Sequence, residues 1–165
     1  MGSSPPTASR LEADTPPYPA DIAVGTDLVL VSHVESSIAN FGDRYLQRVY
    51  TEGELDYCLA QRDGPALHLA ARFAAKEATI KALAPGVEAL GWRSIEIRRR
   101  PGGACDVVLH GPAHLLARRR GVRRLAISMS HDGEYATAVV LAERRRTPPA
   151  EGRLRRKVPR GAYER

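Results

Sequence analysis

The stretch Arg72-Phe-Ala-Ala-Lys-Glu-Ala-Thr-Ile-Lys81 decides how this chain is read. It lies in a run from Ala66 to Ala84 that has no internal Gly or Pro and is bracketed by Pro65 and Pro85. Ala, Leu, Lys, Glu and Arg dominate the run, so a helix over 66–84 is predicted. At about 100° per residue, Ala71, Ala74, Ala75, Ala78 and Ala82 share one smooth face that permits close packing. Leu69, Phe73 and Ile80 fall opposite, with Arg72, Lys76, Glu77 and Lys81 among them. Glu77 precedes Lys81 by four residues, the favourable order for a pair. That spacing fits a solvated pair worth a few tenths of a kcal/mol as well as it fits a working group.

Upstream, Ile22 to Val31 reads as a buried strand with Asp27 in its middle. His33–Phe41 and Asp43–Tyr50 read as short helices split by Gly42. Thr51-Glu-Gly-Glu54 has the capping-box spacing and starts another helix. Downstream, Ser94–Arg98, Ala104–His110, Leu125–Ser130 and Glu134–Glu143 read as strands. Arg98–Gly103 makes a hairpin connection, and Gly133 a tight turn into the last strand. Pro112–Arg119 is one more helix, ended by Gly121. The fold class is therefore α+β: a small antiparallel sheet with a long central helix.

The 165 residues, 43% apolar and 27% charged, suit one domain with a real core. No run approaches the ~20 apolar residues of a membrane span, and the first residues lack the basic start and apolar block of a secretory signal. Cys58 and Cys105 are isolated, which fits two thiols in a reducing cytoplasm. The net charge of +6 belongs to one end. Residues 144–165 carry nine basic side chains against two acidic ones, and between residues 21 and 143 the charges cancel. Three segments are expected: a disordered extension over 1–20, a folded domain over 21–143, and a basic disordered tail over 144–165. Such a tail fits a solvated end, or contact with nucleic acid or an acidic protein.

Asp27 is a carboxylate in an apolar strand, costly unless hydrogen-bonded, paired or bound to a cation. Gly25-Thr-Asp27 could form a bulge in which Asp27 caps a neighbouring backbone. Asp27 and Glu77 are otherwise two carboxylates on different elements that together suit a hard cation, Mg²⁺ above all. Lys81 could hold a phosphate or transfer a proton. Ser128-Met-Ser-His-Asp132 sits at a strand end, where contiguous Ser130, His131 and Asp132 cannot form a hydrolase triad because neighbours on a strand point to opposite faces. The other histidines have no zinc spacing.

In order, VGTDLVLV, YTEGEL, ARFAAKEATIKAL, SIEI and SMSHDGEYATAVVLAE resemble the holo-[acyl-carrier-protein] synthase family of 4′-phosphopantetheinyl transferases, over roughly residues 22–143. The resemblance implies a cytoplasmic enzyme that moves the phosphopantetheine arm of coenzyme A onto a serine of an acyl carrier protein, releasing adenosine 3′,5′-bisphosphate. It implies Mg²⁺ held by Asp27 and Glu77, with Glu77 through a water, or Lys81, taking the serine proton. Lys81 is implied mainly as a phosphate ligand. Arg72, Gly86, Ser130 and His131, with Asp132 as a weaker candidate, would contact coenzyme A. Arg44 and Arg48 would meet the acidic carrier. A three-stranded sheet, a homotrimer and active sites between subunits are implied too.

Two positions depart from that family's pattern. Ala84-Pro85 stand where a glycine-rich turn is usual, and His33 where Arg or Lys is common, so phosphate cradling and carrier choice are open. The rival readings are a non-catalytic homologue that binds coenzyme A or carrier, and a nucleic-acid-binding protein acting through its tail.

Overall fold

The structure, a computed structural model, describes residues 21–83 and 90–145. The expectations for 1–20, for the tail beyond 145, for Gly86 and for Ala84-Pro85 lie outside the described residues. In chain order the elements are β1 (Asp21–Leu30), α1 (Val31–Phe41), α2 (Asp43–Val49), α3 (Glu52–Leu59) and α4 (Pro65–Leu83). A single 3₁₀ turn at Trp92–Ser94 leads to β2 (Ile95–Arg99) and β3 (Cys105–Leu109). Then come α5 (Gly111–Arg119), β4 (Val122–Asp132) and β5 (Tyr135–Arg144). Each expected element forms, most of them shifted by a residue or two at the ends.

The implied three-stranded sheet forms, beside a separate two-stranded hairpin. β1, β5 and β4 make an antiparallel sheet with β5 central, and β2 and β3 make a separate hairpin. β4 extends beyond the predicted 125–130, because all of it but Arg123 pairs with β5 through the tight turn at Gly133 (φ +53°). Ser130, His131 and Asp132 are therefore all paired strand residues.

α4 lies across β1 and β5. The smooth alanine face explains this: Ala74, Ala75, Ala78 and Ala82 are fully buried, and facing them are the small Ala136, Ala138 and Ala142 of β5. The approach is closest at Gly25, where a Cβ would sit 2.0 Å from the Ala78 carbonyl oxygen and 2.6 Å from the Ala82 nitrogen. Only glycine fits between this strand and this helix. Register through Asp27 is regular, opposite Ala138, so the alternative of a bulge over Gly25–Asp27 is overturned. Alternation sends Gly25, Asp27 and Val29 to the helix side and Val24, Thr26 and Leu28 to the other.

Thr51 caps α3 as its sequence predicts. Its hydroxyl accepts from the Glu54 backbone N–H at 3.4 Å, and Glu54 Oε2 accepts from the Thr51 N–H at 2.8 Å. Glu54 does more than cap. It is buried, its Oε2 lies 2.8 Å from Lys76 Nζ, and its Oε1 accepts from the Ile97 N–H at 2.9 Å. Lys76 also donates to the carbonyls of Trp92 and Ile95. This fully satisfied pair ties α3, α4 and β2 into one unit, and it accounts for one of the charges that the sequence placed among apolar groups.

Candidate functional site

Two clusters of charged side chains border α4, in separate cavities. The first is acidic. β1 carries Asp27 toward the C-terminal half of α4, where Glu77 and Lys81 are, and Gly25 sets how near the strand can come. Lys81 Nζ lies 2.7 Å from Asp27 Oδ1 and donates to the Thr26 carbonyl at 3.0 Å. The anticipated Glu77–Lys81 pair is thus replaced by Lys81–Asp27: the ammonium reaches across to the strand instead of back along its own helix. Glu77 has no hydrogen-bond or ion-pair partner among the described residues. Partial burial and the charge of Asp27 push its carboxyl above the usual carboxylate range, while Lys81 pulls it back. Asp27 and Glu77 line one cleft of about 530 Å³ with His33, Tyr45, Phe73 and Tyr135.

Two carboxylates that repel one another, one of them unpartnered in an open cleft, fit a hard divalent cation completed by water and phosphate oxygens. Among the described residues no group of three or more His, Cys, Asp or Glu side chains could hold a metal by itself. A site of this kind would depend on its substrate for further ligands.

The second cluster is basic. Arg72 is buried, at 3% exposure, and its guanidinium lies over the Tyr57 ring at 4.3 Å. It donates to the His68 carbonyl at 3.2 Å, but its Nε has no partner and no carboxylate pairs with it among the described residues. Arg99 donates to the Tyr57 hydroxyl and also approaches the ring face. Tyr57, His68, Arg72, Arg99 and His131 line a cavity of about 300 Å³. A buried guanidinium without an anion carries an unrepaid desolvation cost, so the cavity is suited to a negatively charged ligand.

Of the residues proposed from sequence, Asp27 and Glu77 line the acidic cleft, with Lys81 paired to Asp27, and Arg72 and His131 line the basic pocket. Ser130 does not join His131. It pairs with Thr137 on the sheet face that carries Leu28, whereas His131 pairs with Ala136 on the helix side. Asp132 is exposed at the end of β4. Arg44 and Arg48 are exposed together and line a third cavity with Phe41 and Tyr45. Tyr45 is common to that cavity and the acidic cleft, so the two adjoin.

Sequence reasoning passed over Tyr57, His68 and Arg99, which come from three different elements. Only His68 left a signal, one helical turn ahead of Arg72. His33, noted only as a departure, lies in the acidic cleft.

Residues 23–140 match the model of the 4′-phosphopantetheinyl transferase superfamily. The holo-[acyl-carrier-protein] synthase of Moorella thermoacetica is 47% identical over 122 residues, covering 74% of this chain and 94% of that protein. The enzyme of the same name from Gloeobacter violaceus is 46% identical over 117 residues, covering 71% and 89%. Among solved structures, the ACPS–CoA complex from Chronobacterium ammoniagenes superposes with a TM-score of 0.68 at 31% identity, covering 76% of this chain and 99% of that one.

Proposed function

Because the chain belongs to the 4′-phosphopantetheinyl transferase superfamily, we propose that it transfers the phosphopantetheine arm of coenzyme A to a serine of an apo acyl carrier protein. The observation that carries this is the acidic cleft: Asp27 held by Lys81 beside a partnerless Glu77, next to a basic patch on α2. In this reading the serine hydroxyl attacks the β-phosphoryl group of coenzyme A, and adenosine 3′,5′-bisphosphate leaves. Mg²⁺ held by Asp27 and Glu77 would neutralise the diphosphate and polarise the phosphorus. The Lys81 ammonium would stabilise charge developing on the leaving phosphate. Glu77 would take the serine proton through a water. The rest is positioning: Arg72 and His131 hold nucleotide phosphate, and Arg44 and Arg48 with exposed Phe41 receive the acidic carrier so that its serine reaches the neighbouring cleft.

The acidic cleft and the basic pocket border different sides of α4, so one copy does not present both to one nucleotide. A site shared between copies resolves this. The outer face of the β1–β5–β4 sheet supports such an assembly, because Val24 (59% exposed), Leu28 (64%), Val139 and Leu141 form an uncovered apolar surface. In this reading the chain assembles as a homotrimer with sites shared between subunits. No helix among the described residues is long and apolar enough to cross a membrane, and the thiols of Cys58 and Cys105 are unpaired, which fits a cytoplasmic enzyme.

The test is to incubate the protein with coenzyme A, Mg²⁺ and several apo carriers and to weigh the carriers. A gain of the phosphopantetheine mass supports the reading. Its absence with every carrier, under conditions where the protein is folded, rejects it. Val24→Glu with Leu28→Glu should lower the mass of the assembly in sedimentation and abolish transfer together. If the native chain sediments as a monomer and still transfers, the shared-site assignment is wrong.

A further inference from the structure

The junction of α5 and β4 holds five arginines in seven residues, Arg118-Arg-Arg-Gly-Val-Arg-Arg124. The balanced charge between residues 21 and 143 hides this concentration, and neither cleft beside α4 uses it. Arg118 and Arg119 close the last turn of α5, where cations face the negative end of the helix, and that position suits two of the five. The other three have no such reason. Gly121 (φ +70°) turns the chain into β4, and the register of β4 on β5 slips at Arg123, a bulge of the kind that re-aims side chains. All five arginines are exposed, and none forms an ion pair among the described residues. The neighbouring acids do not neutralise them. Asp106 is paired with Arg100 at 2.6 Å, and Glu143 stands opposite Arg124 in register without an ion pair.

The basic tail starts at the same place. The Arg145 N–H donates to the Gly121 carbonyl at 2.8 Å, so a sixth exposed arginine is tied to the middle of the turn. Of the nine basic residues in 144–165, the seven other than Arg144 and Arg145 follow from there. Two basic stretches far apart in sequence therefore meet at one end of the sheet. We infer that this arginine turn, with the tail it adjoins, is a second binding surface, for the phosphate backbone of a nucleic-acid duplex. Its composition separates it from a protein-docking patch. Arg44 and Arg48 have exposed Phe41 beside them, an aromatic anchor of the kind protein interfaces centre on. The arginine turn has no exposed aromatic, and Leu115 is the one exposed large apolar residue of α5. Dense positive charge without an anchor is the composition of nucleic-acid interfaces, and guanidinium forks match phosphate oxygens. A surface with no ring to stack a base suits a duplex backbone better than a single strand. Arg118, Arg123 and Arg124 line a cavity of about 420 Å³ with His114, Val108 and Leu109, and it shares no residue with the acidic cleft or the basic pocket. Both surfaces can therefore be occupied at once.

The test is the fluorescence anisotropy of a labelled DNA duplex titrated with the full chain over a series of salt concentrations. Native protein should bind with an affinity that falls steeply as salt rises, the log–log slope counting the phosphates neutralised. Arg118→Gln, Arg120→Gln, Arg123→Gln and Arg124→Gln together should reduce that slope by about 3 to 4, since each lost phosphate contact removes about 0.9. Binding at about 0.1 M salt should weaken at least about tenfold. The same four positions changed to Lys keep the charge, and should keep most of the slope; this separates lost charge from a damaged fold. No binding of the duplex by the native chain at about 50 mM salt, where such contacts are strong, overturns the inference. A Gln variant with the native slope overturns it too, because the tail alone then holds the duplex. So does polyglutamate that displaces the duplex at equal charge concentration, which would make an acidic protein the partner.

Discussion

Lys76 and Glu77 are neighbours on one helix and have opposite fates. Lys76 is wholly buried, and its ammonium meets Glu54 and the carbonyls of Trp92 and Ile95. Burial pulls the lysine toward its neutral form and Glu54 opposes this. Glu77 is half-buried in an open cleft, beside a like charge, with no partner among the described residues. A charge whose every hydrogen bond is met holds elements together; it has nothing left to offer a ligand. A charge left unmet in a cleft costs stability and is free to bind or to exchange a proton. The same sequence motif therefore carries architecture at one position and chemistry at the next.

The comparison breaks most visibly at Lys76. Lys76→Met strands the buried Glu54 carboxylate, and the fold should lose about 3–5 kcal/mol in denaturant unfolding. Replacing both partners, Glu54→Leu with Lys76→Met, should recover much of that, since an apolar pair is often as stable as a buried ionic one. A single mutant as stable as native would show that the pair is not what ties α3 to α4.

At Glu77 the outcome should reverse. Glu77→Gln should lower kcat by about 10²–10³, the size of loss seen when one electrostatic group of a transition state is removed. It should also raise the melting temperature at neutral pH. The folded-state pKa of Glu77 is raised, so its contribution favours folding below the ordinary carboxylate range, where it is protonated in both states, and that advantage is lost as pH rises through the folded pKa. The gain from Gln is therefore present at pH 7 and gone near pH 4. A variant that is less stable than native at pH 7 contradicts an unpaired Glu77.

Gly25→Ala tests what brings Asp27 to the cleft. The added Cβ collides with the α4 backbone, and a loss of about 3 kcal/mol with diminished transfer is expected from chemical denaturation and the carrier assay. A silent substitution would mean that the strand and helix have room to spare. The smallest effect belongs to Thr51→Ala, about 1 kcal/mol from the lost cap, with kcat unaffected.

Much of this was legible in the chain. Helix α4 showed itself by composition and by the Pro bracket, α3 by its capping spacing, and Asp27 by a charge where a strand has no use for one. Those signals are local: they depend on residues within a turn or two. The buried Glu54–Lys76 pair was not legible, because its partners are 22 residues apart and Glu54 already had a sufficient local role as a cap. The exchange of Glu77 for Asp27 as the partner of Lys81 was hidden for the same reason: helical spacing offers Glu77, and only the packed strand offers something nearer. That Ser130 and His131 point to opposite faces was legible from their adjacency on a strand; which of them meets the α4 side was not.

Sequence by itself determined the elements, their order, and Asp27, Glu77 and Lys81 as side chains that could do chemistry, because propensity, capping and periodicity act over short distances. Tertiary structure decided which of those side chains are spent on one another and which are left free. That choice depends on distances across elements far apart in the chain, where a difference of a few ångströms separates a saturated ion pair from an open site.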